Sequence, residues 1–247
     1  MSSTRQRVRR GILLLLFLAF PIIYNYYSPY LIMQGASEGV ANFSFFLWSA
    51  WALTALFIGR IGCAYVCPLG AAQMISDKVL ERPLVRVKYF AVVKYVLAVA
   101  WVAGIVLAAI AGGGYKSANL LYMTESGISA DSLLGLLMYY FLIAIPLLPA
   151  ALLGRRAFCH YLCPFGVVNM ATSKLGQWLR LPQLHLAANT AACTQCQRCT
   201  QACPMSLPVT DMVQRGDMTN HECILCATCA DGCPRHVIRY AWGRPQR

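Results

Sequence analysis

The sequence predicts a membrane all-α domain, four transmembrane helices in two parallel hairpin repeats, followed by a small α+β domain. Three observations carry this prediction: an apolar composition gathered into long runs, an internal repeat of about ninety-six residues, and a cysteine-dense C-terminal segment. The 247 residues are 58% hydrophobic and 12% charged, with a mean hydropathy of +0.54. A soluble chain carries about 25% charged residues.

Four apolar runs account for the difference: Gly11–Met33, Val40–Ile58, Tyr89–Ala111 and Leu133–Leu153. Each approaches the ~20 residues that a helix needs to cross a bilayer. Pro21, Pro146 and Pro149 would break a soluble helix but are tolerated where neighbouring helices satisfy the freed carbonyls. The first run has a basic start, as a signal peptide does, but it is long, lacks a small-residue cleavage site and is followed by three more runs.

Charge predicts orientation. Arg5, Arg7, Arg9 and Arg10 precede the first run, and Arg60, Lys78, Arg82, Arg86 and Lys88 lie between the second and third, with Lys94 just inside the third. The opposite loops carry Lys116 with Glu38, Glu125 and Asp131. Positive charge stays inside, so both termini and the cysteine-rich segment are expected in the cytoplasm of a bacterial inner-membrane protein. The net charge of +12 answers to this asymmetry and to anionic headgroups, and gives no reason to expect a nucleic-acid partner.

Eight of the twelve cysteines form two runs, Cys193-x2-Cys196-x2-Cys199-x3-Cys203-Pro204 and, thirty residues on, Cys223-x2-Cys226-x2-Cys229-x3-Cys233-Pro234. This is the bacterial ferredoxin spacing twice over, which holds two 4Fe–4S clusters. A zinc ribbon has longer spans between its C-x2-C knuckles and needs four ligands only. In such runs the fourth cysteine ligates the other cluster. The expected sets are therefore Cys193, Cys196, Cys199 and Cys233 for the first cluster, and Cys223, Cys226, Cys229 and Cys203 for the second. The segment 190–247 is read as a ferredoxin-like domain, 175–189 as an interfacial linker and 1–174 as the transmembrane domain. Within the small domain, Val237–Trp242 is expected as a strand, with Pro208–Val213 as its partner.

The remaining four cysteines belong to the longer repeat. Arg60-Ile-Gly-Cys63-Ala-Tyr65-Val-Cys67-Pro68-Leu-Gly70 matches Arg156-Ala-Phe-Cys159-His-Tyr161-Leu-Cys163-Pro164-Phe-Gly166. Met74 and Lys78 match Met170 and Lys174 at the same spacing. Parallel repeats pack about an axis along the membrane normal, with functional groups at their interface. Cysteines four apart share a helix face, and the proline after each pair suits the first turn of a new helix. A nearby arginine and the helix N-terminus would favour thiolates. The pattern admits three readings: small buried hydrophobes, a redox dithiol, or a shared third metal site holding a further iron–sulfur cluster, formed by Cys63, Cys67, Cys159 and Cys163.

His160 is the one histidine near the expected lipid boundary and hence the candidate proton carrier for catalysis, against a plainer role bonding a backbone carbonyl. Tyr65 and Tyr161 are secondary candidates. The tyrosines between Tyr24 and Tyr30 read as an aromatic belt at the opposite surface. His221, two residues before Cys223, is placed to tune a cluster. No predicted span contains a histidine, so haem ligation there is not expected.

Four apolar runs, two C-x3-C-P motifs and a double cysteine run together resemble the NapH-type membrane quinol dehydrogenase family, with its NosR, MauN and CcoG relatives. The resemblance covers nearly the whole chain. It implies an electron-transfer protein that exchanges electrons with the quinone pool, quinol being an exchangeable substrate. The redox partner it implies is a ferredoxin-type or multihaem cytochrome subunit. The alternative is an accessory protein for maturation or regulation of a metalloenzyme. The chain lacks the long flavin-binding domain and the C-terminal extension of some relatives, so no FMN site is expected.

Overall fold

The structure, a computed structural model, describes residues 3–80, 82–87 and 89–244. Lys88, one of the basic residues used above for orientation, lies outside the described residues.

Helix α1 (Thr4–Leu18) opens at Ser3, whose hydroxyl accepts from the Gln6 N–H. The run Gly11–Met33, expected as one helix, is broken. After α1 comes the short α2 (Phe20–Ile23), a 3-10 turn at Tyr24–Tyr27, and α3 (Pro29–Glu38); α1 and the segment that follows it meet at 62°. Pro21 and Pro29 each sit in the first turn of a new helix, where the missing N–H costs nothing. The run Val40–Ile58 is likewise divided, into strand β1 (Val40–Asn42) and α4 (Phe43–Ile58), because the Asn42 side chain caps α4 by accepting from the Phe45 N–H.

Two short helices follow, α5 (Ile61–Tyr65) and α6 (Pro68–Leu80), then α7 (Phe90–Ala111), β2 (Ser117–Asn119), α8 (Leu133–Leu153), α9 (Ala157–Tyr161) and α10 (Pro164–Trp178). Helices α7 and α8 are long and apolar enough to cross a membrane, and the bent first pair makes a third candidate; α4 is apolar but shorter. The exterior of α7 is apolar, with Val99, Leu107 and Ile110 exposed, while Lys94 and Ala98 are what it buries. That inversion suits a lipid surround, where polar side chains turn inward. Strands β1 and β2 pair in parallel at the end of the molecule where Tyr24 and Tyr26 donate to the carbonyls of Ser129 and Gly127.

The spacing seen in the sequence recurs in the elements. Helix α9 starts ninety-six residues after α5, and α10 the same distance after α6. Packing then crosses over: α6 lies on α8 as well as on α1, and α10 lies on α4 as well as on α7.

The C-terminal segment is closed by a two-stranded antiparallel sheet, β3 (Gln183–Ala188) with β4 (Ile238–Gly243), in register from Gln183↔Gly243 to Ala188↔Ile238. Strand β4 lies where expected, but its partner does not. Pro208–Val213 falls in helix α12 (Val209–Gln214), which follows α11 (Arg198–Gln201) and precedes α13 (Thr228–Asp231). Val209, Met212 and Val213 are the buried residues of α12, spaced as one helical face, and that periodicity outweighs the strand propensity of the valines. The stretch read as a linker instead holds the end of α10 and strand β3.

Candidate functional site

The two cysteine runs fold alike. Helix α13 begins thirty residues after α11, and left-handed backbone recurs at the same spacing at Gln195 and Leu225, Gln197 and Ala227, and Ser206 and His236. Left-handed conformations at such residues cost about 1–3 kcal/mol each and gather at functional sites, where the fold holds them. Here the first two pairs turn each run between its cysteines, and the third turns the chain three residues after its last cysteine.

Two cavities result. One, of about 370 Å³, is lined by Cys193, Cys196 and Cys199 of the first run and by Cys233 of the second. The other, of about 380 Å³, is lined by Cys223, Cys226 and Cys229 together with Cys203. The structure thus brings together the crossed sets. All eight thiols are free, and hydroxyls face two of them: Thr210 Oγ1 lies 3.5 Å from Cys199 Sγ, and Thr228 Oγ1 3.3 Å from Cys226 Sγ. Four thiols around an otherwise largely apolar hollow fit an iron–sulfur cluster, which takes cysteine thiolates and is tuned by hydrogen bonds to sulfur.

The two cages differ in their surroundings. Cys203, Cys226 and Cys229 are buried in the main core, whereas Cys196 is exposed. Acidic residues flank the second run and tie it to the helical part. Glu222 bonds Arg60 Nη1 at 3.2 Å and the Lys94 ammonium, with His160 Nδ1 at 4.0 Å. Asp231 accepts from Arg5 Nε at 3.1 Å and Gln6 Nε2 at 2.6 Å, while Gln6 Nε2 also donates to the Cys226 carbonyl. Burial opposes the charge on Glu222, but Arg60 and Lys94 hold its carboxyl below the usual range.

The other four cysteines form a third group at the foot of the helices. Each of Cys67 and Cys163 caps the helix that follows it, accepting from the N–H of Gly70 and Gly166 at 3.4 and 3.3 Å. The arginines of the repeat trade places. Arg156 reaches Gly70 of the first half, where an added Cβ would lie 2.9 Å from its Nη1; Arg60 reaches Gly166 of the second, where a Cβ would lie 3.0 Å from its Nη2. The glycine of each C-P-x-G motif therefore makes room for the other half's guanidinium. Gln73 of the first half donates to Cys159 Sγ of the second at 3.2 Å. Its counterpart in the repeat is Asn169, and both side chains are fully buried.

The thiols of this group act on one another. Burial first, then the neighbouring Cys63 and Cys159, pushes Cys67 up to about 12. Burial and the thiols of Cys159, Cys63 and Cys67 push Cys163 well above its ordinary value. Burial also raises Cys63 despite Arg60 beside it, so proximity to arginine does not by itself produce the thiolates expected from the sequence. Near these sulfurs, Arg60 Nε, Arg156 Nε and Nη1 and Gln73 Oε1 are buried without a hydrogen-bond partner, as are both amide atoms of Asn169, the repeat counterpart of Gln73. Orphaned buried polar groups cost about 1–3 kcal/mol each and call for a partner. Both guanidiniums and the Gln73 amide thus stand among these sulfurs. Among the described residues, no three His, Cys, Asp or Glu side chains are arranged to hold a lone metal ion.

His160 is half-buried and donates from Nε2 to the Met205 carbonyl at 3.0 Å; desolvation lowers it to about 4, so it is neutral near pH 7. Tyr161 donates to the Val85 carbonyl at 2.7 Å. His221 is exposed beside a groove, and its carbonyl accepts from Arg60 Nη1 at 3.2 Å. Sequence reasoning missed Gln6, Gln73, Asn169, Glu222 and Asp231. One signal pointed to the last two: in a chain with nine acidic residues, Glu222 and Asp231 flank one cysteine run, while Ala192 and Gln201 stand at the equivalent places of the other.

These cages meet independent support in related proteins. A family described as "4Fe-4S dicluster domain" matches residues 192–238, and one described as "4Fe-4S binding domain" matches 40–86 and again 134–182, the two halves of the longer repeat. Protein NirI of Paracoccus denitrificans is 30% identical over 197 residues, 75% of this chain and 26% of NirI. YccM of Escherichia coli is 26% identical over 220 residues, 83% of this chain and 57% of YccM. Regulatory protein NosR of Pseudomonas aeruginosa is 28% identical over 210 residues, 77% of this chain and 27% of NosR. The chain belongs to the membrane 4Fe–4S electron-transport family of the NapH and NosR type. It carries 4Fe–4S binding segments, and it spans about a quarter of NirI and NosR and over half of YccM. No solved structure matches it.

Proposed function

We propose that this chain is a quinol-oxidising electron-transfer subunit of the inner membrane, spanning it four times with both termini in the cytoplasm. The observation that carries the reading is the gathering of three four-cysteine groups on one buried core. Cys63, Cys203, Cys226 and Cys229 lie in that core, Cys193, Cys199 and Cys233 pack against it, and Cys196 is exposed. Cys193, Cys196, Cys199 and Cys233 would hold one 4Fe–4S cluster, and Cys223, Cys226, Cys229 and Cys203 the other. Cys63, Cys67, Cys159 and Cys163 would hold a third group, with Arg60 and Arg156 balancing its charge. When bound, such clusters carry single electrons, which is how a two-electron quinol is coupled to one-electron partners. The protein's own residues fix the small domain against the helices through Glu222 and Asp231. His160, neutral and bonded to Met205, holds position more readily than it moves protons.

Anaerobic purification with iron counting, followed by addition of menaquinol or ubiquinol, tests the reading. About eight irons are expected for two cubanes and about twelve with a third. Bleaching of the visible absorption by quinol supports the assignment, and a full iron complement that neither quinol reduces overturns it. The relative NosR, a regulatory protein by name, favours one second reading, an accessory protein for a metalloenzyme. In that case deletion would leave the enzyme without its metal rather than without electrons.

A further inference from the structure

The duplication of the cysteine runs allows a position-by-position comparison of how each cage meets its surroundings. Where the second cage touches the helical part, it carries Glu222, Asp231, Thr228 and Met205, and Val209 lines its cavity. Thr228 bonds Gln6, Met205 is 1% exposed and accepts from His160, and Val209 is 3% exposed. Thirty residues away, the equivalent positions around the first cage are Ala192, Gln201, Arg198, Arg235 and Arg239. Arg198, Arg235 and Arg239 are exposed, and the first two line the first cage itself. Thr228 and Met205, which dock the second cage inward, and Val209, which lines its cavity, become arginines that face solvent at the first. The docking carboxylates Glu222 and Asp231 become the uncharged Ala192 and Gln201. Along 190–216 and 234–239 the exposed charges are Arg198, Arg215, Arg235 and Arg239 against the single carboxylate Asp211. No ion pair engages any of these arginines among the described residues.

We propose that the face formed by Arg198, Arg235 and Arg239 around the exposed Cys196 is the docking surface for an acidic redox protein. The proposal rests on the electron-transfer reading above and deepens it: it says which cage a partner meets, and with what charge. Rim charges of one sign speed encounter and select complementary partners, and their effect fades with salt. An uncharged rim would serve as well for a partner held by apolar contact. Three arginines where the duplicate has threonine, methionine and valine fit a carboxylate-rich partner.

The test uses the full chain in lipid nanodiscs, with an acidic flavodoxin and a basic cytochrome c as protein probes, and binding read by biolayer interferometry at rising ionic strength. The flavodoxin is expected to bind with a Kd that rises steeply with salt, and the cytochrome to bind at least tenfold more weakly. Arg198→Glu with Arg235→Glu should weaken flavodoxin at least tenfold. Because Arg198 precedes a cage cysteine, Arg239→Glu, outside the cavity lining, is the second variant and should weaken it several-fold. Iron content and the visible spectrum, measured on the same samples, separate the two ideas. A chain without iron whose arginines still govern flavodoxin binding would sink the electron-transfer reading and leave the docking face standing. Flavodoxin affinity unchanged by both variants overturns the docking face. So does a finding that the arginines govern adhesion to vesicles of anionic phospholipid while flavodoxin is indifferent to them.

Discussion

Arg60 and Arg156 hold equivalent places in the repeat, yet each serves the opposite half, and the glycines of the C-P-x-G motifs make this possible. An alanine methyl at Gly70 would stand 2.9 Å from Arg156 Nη1 and one at Gly166 3.0 Å from Arg60 Nη2, while one at Gly11 meets nothing within 4 Å. Gly70→Ala and Gly166→Ala should each cost about 1–3 kcal/mol by overpacking, whereas Gly11→Ala in α1 should stabilise by about 0.5–1 kcal/mol. Thermal denaturation in detergent reads all three. At this scale the eight ferredoxin cysteines were legible because their spacing is itself the ligand geometry. Gln73 and Asn169 were not, since nothing in the sequence says which helix faces the other half's sulfurs. The crossed cages give a second prediction. Cys203→Ser should alter the paramagnetic signal of the cluster held by Cys223, Cys226 and Cys229, and leave the first-run signal in place. A change confined to the first-run signal would mean that the runs do not exchange their fourth cysteines.

Elements were legible where one pattern stood alone and misread where two competed. Leu133–Leu153 is one helix as expected, but Gly11–Met33 is several, because an apolar run has no marker for a bend until proline starts a new helix. The stretch Val209–Val213 has strand-forming valines, yet its buried residues fall on one helical face. The true partner of β4 came from a segment whose sparse charge reads equally as linker or strand. Leu186 of β3 is 5% exposed and lines the second cage. Leu186→Ala should therefore destabilise the small domain by about 2–5 kcal/mol, the usual cost of emptying a buried leucine site. Heating while following the iron–sulfur absorbance would show bleaching at lower temperature. An unchanged profile would return 183–188 to the status of a linker.

At the scale of the whole molecule, the basic residues that the sequence assigned to one side of the membrane gather against the cysteine-rich segment. Arg5 binds Asp231, Arg60 and Lys94 bind Glu222, Arg86 donates to the Ser206 carbonyl, and Arg155 donates to the Gln201 carbonyl. The opposite end carries β1, β2 and the tyrosines that tie down the 123–129 loop. The N-terminal arm, the loop after α6 and the iron–sulfur segment therefore share one end of the molecule, whichever way it faces. The cost of moving lysine and arginine across a bilayer predicts that this end faces the cytoplasm, and reporter fusions test that prediction. Alkaline phosphatase fused after Gly114, between α7 and β2, should be active, and the same enzyme fused after Arg244 inactive. Green fluorescent protein at the two positions should give the reverse. Both reporters placing Arg244 outside would invert the orientation, leave the contacts untouched and send the exposed first cage toward a periplasmic partner. Both placing Gly114 and Arg244 on one side would mean that α8 does not cross at all, and the count of spans would fall with it.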